Sequence, residues 1–194
     1  GIPDRVCEQC RAGRYNLCPN VQFFGTPPVD GSFTNYVTVP QDFAYLLPEG
    51  MSDEEGAMIE PLSVALWACR KAGLRGGDHI LVTGAGPVGL LAMKVAFALG
   101  ATTVMITDVS AARLAAAQRF GATRTINVAE HSLVQASLGA DVLLECSGNQ
   151  QALMDGIRSL RPAGVAVAVG MNPGETLNVP LSFIQNREIT LTGT

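Results

Sequence analysis

Residues 79–108 constrain this chain more than any other stretch. The apolar run His79-Ile80-Leu81-Val82-Thr83 leads directly into Gly84-Ala85-Gly86-Pro87-Val88-Gly89. A helical pattern follows over 90–99 and stops at Gly100, after which Val104-Met105-Ile106-Thr107 leads to Asp108. This order predicts a strand, a glycine turn, a helix and a second strand ending in an acid nineteen residues after Gly89. Each glycine has a physical task in such a unit. Gly84 permits the tight turn, Gly86 lets backbone approach a pyrophosphate, and Gly89 lets the helix pack closely on the sheet. Free N–H groups of the first helical turn, with the helix dipole, favour phosphate charge. The whole turn, Pro87 and Val88 included, is therefore a candidate for cofactor binding. Asp108 is placed to accept hydrogen bonds from an adenine ribose, and its charge would repel a 2′-phosphate, which favours NAD over NADP. Two other readings stand beside dinucleotide binding. One is a glycine turn of purely structural use, with Asp108 an ordinary cap at a strand end. The other is a methyltransferase, whose glycine loop can look similar.

Composition narrows the classes further. A chain of 194 residues can bury a sizeable core and suits one full domain plus part of another. Hydrophobic residues make up 47% and charged residues 15%, the balance of a globular rather than a disordered chain. A net charge of −4 and a pI near 5.1 argue against a nucleic-acid surface, because no basic stripe offsets the acids. Residues 80–101 are apolar enough to be taken for a membrane span. The glycines, the proline and Lys94 inside that run argue for a buried strand and helix instead. No secretory signal is visible, and the expected setting is cytoplasmic. The chain opens on Gly1 rather than Met, so a missing native start is expected.

The second half repeats a strand–helix rhythm. Helices are predicted over 110–120 and 150–160, and strands over 124–127, 141–146, 163–169 and 189–192. Residues 130–138 read as a short helix or irregular segment. The strand at 163–169 is rich in alanine and valine, as a strand buried on both faces should be. This rhythm predicts an α/β fold with a doubly wound parallel Rossmann sheet over 73–194. The first 50 residues carry most of the prolines and three of the five cysteines, and read as part of another domain, extended to 1–72 by linking helices. Ser52-Asp53-Glu54-Glu55 is a capping box. Pro61 can sit in the first turn of a following helix, which Gly73 ends.

Cys7, Cys10 and Cys18 have the spacing C-x2-C-x7-C, and Asp4 lies three residues before Cys7. Thiolates clustered this closely suit a tetrahedral zinc with three sulfurs and one carboxylate oxygen, a closed and therefore structural site. Reduced bystander thiols, or a disulfide between two of them, are the alternatives. The odd cysteine count without a secretory signal disfavours a disulfide scaffold. Cys69 and Cys146 lie within apolar helix and strand patterns and read as small buried hydrophobes.

Further motifs lie across the chain: Gly13-Arg14-Tyr15-Asn16-Leu17-Cys18, Phe23-Phe24-Gly25-Thr26-Pro27-Pro28-Val29-Asp30-Gly31, Gly56-Ala57-Met58-Ile59-Glu60-Pro61-Leu62-Ser63-Val64 and Glu145-Cys146-Ser147-Gly148. With the glycine turn and Asp108, they resemble the zinc-dependent medium-chain dehydrogenase/reductase family, and within it the sorbitol (polyol) dehydrogenase branch. The resemblance implies that residues 1–72 are the later part of a GroES-like, β-rich catalytic domain. It implies zinc-dependent oxidation of a secondary alcohol of a small-molecule polyol or sugar alcohol to a ketone, with hydride passing to NAD, in a homo-oligomer. Glu60 would face the catalytic zinc, directly or through water; its bland reading is a carboxylate stabilised by a helix N-terminus. Phe23 and Thr26 would line the substrate pocket, against a reading as core packing. Arg113 would lie by the adenine ribose, against a reading as a solvated helix face. Ser147 and Gly148 follow a strand end that faces the cofactor in this fold, and Val169, Gly170 and Met171 would offer backbone groups to the nicotinamide amide.

Relative to that family the chain corresponds to an internal piece, expected to be inactive alone. The family's catalytic-zinc cysteine and adjacent His-Glu pair would lie upstream, and His79 and His131 do not match them. An arginine and a tyrosine of the substrate pocket would lie beyond Thr194. Asp4 stands where the family usually has the first of four cysteines. Rival readings are a zinc-dependent alcohol, threonine or glucose dehydrogenase of the same family, or a catalytically silent nucleotide-binding protein on the same fold.

Overall fold

Runs such as Ile80-Leu81-Val82 and Val142-Leu143-Leu144 have no polar alternation, so strands made from them need cover on both faces. The computed structural model of the chain shows how that cover is supplied. It describes residues 1–136, 139–172, 174 and 176–194; residues 137 and 138 of the 130–138 stretch lie outside the described residues. The chain forms two units, Gly1–Met51 and Ser52–Thr194.

The second unit opens with helix α2 (Asp53–Lys71). Then β1 (His79–Thr83), α3 (Pro87–Ala98), β2 (Thr103–Asp108), α4 (Ala111–Arg119) and β3 (Arg124–Asn127) alternate. They are followed by α5 (Leu133–Ala136), β4 (Ala140–Glu145), α6 (Gln150–Arg158), β5 (Leu160–Ala168), α7 (Leu181–Arg187) and β6 (Thr190–Gly193). All six strands pair in parallel in the order β3-β2-β1-β4-β5-β6. The fold is thus a doubly wound α/β sheet. Successive side chains point to opposite faces. Ile80, Val82, Val142 and Leu144 join one buried cluster with residues of α2, α3 and α4. Leu81, Leu143 and Ala166 join a second with residues of α6 and the segment before β6. Strand order reverses between β1 and β4, so their carboxyl ends leave a crevice between diverging connections. At the opposite end, Asp141 accepts from the His79 N–H at 2.7 Å and pairs with Arg161. Burial pushes its carboxyl up, but these two donors outweigh it and hold the group below the usual carboxylate range.

Several elements differ from the sequence expectation. Helix α3 begins at Pro87 rather than at residue 90, with Gly86 as its N-cap. Proline suits that first position because its missing N–H would have had no intrahelical partner. Instead of a break before Pro61, α2 runs through it as one helix of 19 residues. The carbonyl left without its usual donor is that of Ala57, which is exposed and open to water. Beyond it, Ala65, Ala68 and Cys69 are buried in the cluster shared with α3. That packing draws α2 into the second unit, whereas the sequence reading grouped the helix with residues 1–72. Helix α7 has no counterpart in the expected elements, and β5 starts at Leu160, three residues early, with a register shift opposite 140–142.

In the first unit, the regular structure of the described residues is α1 (Glu8–Arg11), two 3₁₀ turns (Tyr15–Leu17 and Gln41–Phe43) and a bridge pairing Ile2 with Gln22. Phe33, Tyr36 and Leu46 are fully or almost fully exposed.

Candidate cofactor site and metal centre

The glycine turn joins β1 to α3 at the switch point. Gly84 takes φ +91°, a left-handed conformation that side chains rarely adopt. A Cβ at Gly89 would stand 1.9 Å from the Gly84 carbonyl oxygen, so helix and turn touch through bare backbone. Gly86 differs: a Cβ there would meet nothing within 4 Å. No side chain caps the N-terminus of α3. Its first N–H groups thus have no side-chain acceptor, and an anion could take that place.

Asp108 ends β2 beside this turn and is 8% exposed. One carboxylate oxygen accepts from the Ala85 N–H and the other from the Ser110 N–H, both at 2.8 Å. It thus ties the glycine turn to the start of α4, and an ionised carboxylate with about four lone-pair sites keeps capacity for two further donors. The Arg113 guanidinium lies 3.9 Å from the same carboxylate, with 64% of its side chain exposed.

These groups share one cavity of 460 Å³, lined by Gly84, Gly86, Asp108, Arg113, Cys146 and Ser147, among others. Pro87, Val88, Gly89, Val169, Gly170 and Met171 are not on its wall. The last three form the turn after β5, where the Gly170 N–H donates to the Glu145 carbonyl at 2.8 Å. The Ser147 hydroxyl donates inward to the Glu145 carboxylate rather than into the cavity. Asn149, Gln151 and Asp155 also line the cavity and were missed in the sequence. The available signal was Asn149 before a predicted helix; its side chain caps α6, accepting from Gln151 and Ala152. Glu60 lies on an exposed part of α2, and its carbonyl accepts from the Ser63 hydroxyl at 2.6 Å. Phe23 and Thr26 belong to the first unit, where both are exposed in a turn closed by Thr26 N–H donating to the Phe23 carbonyl.

The metal-type spacing also closes in space. Oxygen or sulfur atoms of Asp4, Cys7, Cys10 and Cys18 all lie within 4.8 Å of one another. The five cysteines form no disulfide. Cys7 caps α1, its sulfur accepting from the Cys10 N–H at 3.4 Å, and the Cys18 sulfur accepts from the Asp4 N–H at 3.3 Å. Asp4 accepts from the Cys7 N–H at 3.0 Å, Asn20 at 2.8 Å and the Val6 N–H at 2.9 Å, which hold its carboxyl far below the usual range. Burial, and next the Cys7 sulfur, push the Cys10 thiol up to about 12. Four potential anions so close need a cation to ionise together. A tetrahedral zinc, whose ligand atoms stand about 3.8 Å apart, fits this donor set.

Residues 87–194 match the zinc-binding dehydrogenase family, and residues 2–49 match the alcohol dehydrogenase GroES-like domain. The chain belongs to the zinc-binding dehydrogenase family. It is 42% identical over 199 residues to a sorbitol dehydrogenase of Bacillus subtilis, covering all of this chain and 56% of that protein. It is 43% identical over 203 residues to a D-xylulose reductase of Saccharomyces cerevisiae, covering all of this chain and 57% of that protein. A solved putative zinc-binding dehydrogenase of Sinorhizobium meliloti bound to NADP superposes with a TM-score of 0.93 at 32% identity, over all of this chain and 59% of that one. The chain thus spans somewhat over half the length of the relatives it matches. Among the described residues, no helix is long and apolar enough to cross a membrane.

Proposed function

We propose that the chain is the nucleotide-binding part of an NAD-dependent oxidoreductase that oxidises a secondary alcohol of a polyol or sugar alcohol to a ketone, with a structural zinc in its first unit. The observation that carries this reading is the meeting of Gly84 and Gly86 of the glycine turn, Asp108 and Arg113 in one cavity at the switch point. A bound nicotinamide would accept the hydride. The chain's own residues bind and orient. The first N–H groups of α3, beside Gly86, hold the pyrophosphate. Asp108 accepts from the ribose hydroxyls with its remaining lone pairs, and Arg113 lies over the same ribose. The turns at 146–149 and 169–171 carry the nicotinamide half. Phe23 and Thr26 are assigned to the alcohol.

The polyol assignment rests on the relatives: sorbitol is a polyol and D-xylulose a ketose, the two sides of the proposed reaction. The NADP bound by the S. meliloti protein supports a dinucleotide, and Asp108 is the argument for NAD over NADP here. Among the described residues, the only group of three or more metal-type side chains is the Asp4 cluster, and Glu60 is not in it. Glu60 is assigned to a catalytic zinc, directly or through water, and such a metal would need further ligands besides this one carboxylate.

The activity is tested on the full-length protein with sorbitol, xylitol and ethanol as substrates. NADH should form with the polyols at a kcat/KM at least tenfold above ethanol. A preference for ethanol, or no NADH with any of them, would overturn the polyol reading.

A further inference from the structure

Among the described residues Glu145 is the most deeply buried acid of the second unit, 2% exposed, and the proposed reaction gives it no role. It is the last residue of β4, level with Thr83 of β1 and Ala168 of β5. Its carboxylate turns back under its own turn. One oxygen accepts from the Ser147 N–H at 2.8 Å, the Ser147 hydroxyl, the Gly148 N–H at 3.1 Å and the Thr83 hydroxyl at 3.2 Å. The other oxygen accepts from the Gly148 N–H at 3.2 Å. Among the described residues no lysine, arginine or histidine pairs with it. Its charge is therefore held by neutral donors, three of the four from residues 147 and 148.

That donor set constrains the turn. A buried carboxylate stripped of its donors is costly, so residues 147 and 148 cannot swing away without stranding the charge. The main chain of Glu145 does the same for the next turn, its carbonyl accepting from the Val169 and Gly170 N–H groups at 2.8 Å each. The two turns are also locked together. A Cβ at Gly148 would stand 2.2 Å from the Met171 carbonyl oxygen, one at Gly170 would stand 2.2 Å from the Gly148 nitrogen, and the Asn172 amide donates to the Gly148 carbonyl at 2.7 Å. Cys146, Ser147 and Asn149 line the same cavity as Gly84 and Asp108.

We infer that Glu145 is a positioning residue for dinucleotide binding: its buried carboxylate holds the 146–149 turn in the shape the cofactor meets. This rests on the dinucleotide reading above. Preorganisation of this kind lowers the ordering cost of binding, so its loss appears in cofactor affinity and not only in stability.

The test compares wild type, Glu145→Gln and Glu145→Ala by titration with NADH well below each melting temperature, together with hydrogen exchange at Ser147 and Gly148. Gln keeps the shape and an acceptor where all four donors converge, so NADH affinity should fall by no more than about threefold. Ala removes every acceptor, so affinity should fall by about tenfold or more, with faster exchange at both amides. A purely structural carboxylate would lower the melting temperature and leave the NADH Kd unchanged. If the Ala variant does not fold, Glu145→Asp takes its place: it keeps the charge but withdraws it from the turn, and should lose affinity as Ala would. Unchanged affinity in the folded variants, with wild type binding NADH, overturns this inference alone. A wild type that does not bind NADH overturns the dinucleotide reading and this inference with it.

Discussion

Replacing Cys10 with serine should release the zinc and loosen residues 1–22 while Ser52–Thr194 stay folded. Cys10 is buried and shares its sulfur environment with Cys7 and Cys18, and α1 is only four residues long. So short a helix has no stability of its own. With few buried side chains in Gly1–Met51, a bound metal would supply the cross-link that a hydrophobic core supplies elsewhere. Metal analysis under reducing conditions should find one zinc per chain in the wild type and none in Cys10→Ser. Backbone NMR signals of residues 1–22 should collapse towards random-coil positions in the variant. Asp4→Ala should weaken binding less, because water can replace one oxygen ligand. Wild-type protein without zinc, or a Cys10→Ser variant that keeps it, would make these cysteines bystanders.

The glycine turn predicts a second large effect, split between two positions. At Gly89 an added Cβ would drive into the Gly84 carbonyl, backbone against backbone. Gly89→Ala should therefore destabilise the second unit by about 3 kcal/mol or more and abolish NADH binding, since α3 must retreat from the turn. At Gly86 the backbone φ of −76° suits any residue, and the added methyl meets no protein atom. Gly86→Ala should leave the melting temperature within a few degrees of wild type. It should weaken NADH about tenfold or more, because the methyl occupies the space a pyrophosphate would take. Thermal melts and NADH titrations on both variants check the split. Equal binding by Gly86→Ala and wild type would show that this space is not the phosphate site.

What was legible in the sequence was short-range. The turn, its helix and the strand to Asp108 lie within thirty residues, and Cys7, Cys10 and Cys18 within twelve. In both cases spacing along the chain dictates spacing in the fold. The continuity of α2 was not legible, because local rules place a helix end before Pro61 and only packing on α3 overrides them. Helix α7 hides in Leu181-Ser182-Phe183-Ile184, which carries no capping side chain at Pro180. The bond from the Thr83 hydroxyl to the Glu145 carboxylate was also beyond reach. It depends on β4 lying beside β1, so that Thr83 and Glu145 meet across 62 residues of sequence.

The second unit is expected to bind a dinucleotide through the glycine turn and Asp108, with NAD preferred. Calorimetric titration of the 194-residue chain with NADH and with NADPH tests it most directly, repeated on Asp108→Gly. NADH should bind the wild type at least tenfold more tightly than NADPH, and Asp108→Gly should narrow that gap by weakening NADH and relieving the repulsion of the 2′-phosphate. Tighter binding of NADPH by the wild type, or binding of neither, would contradict the account.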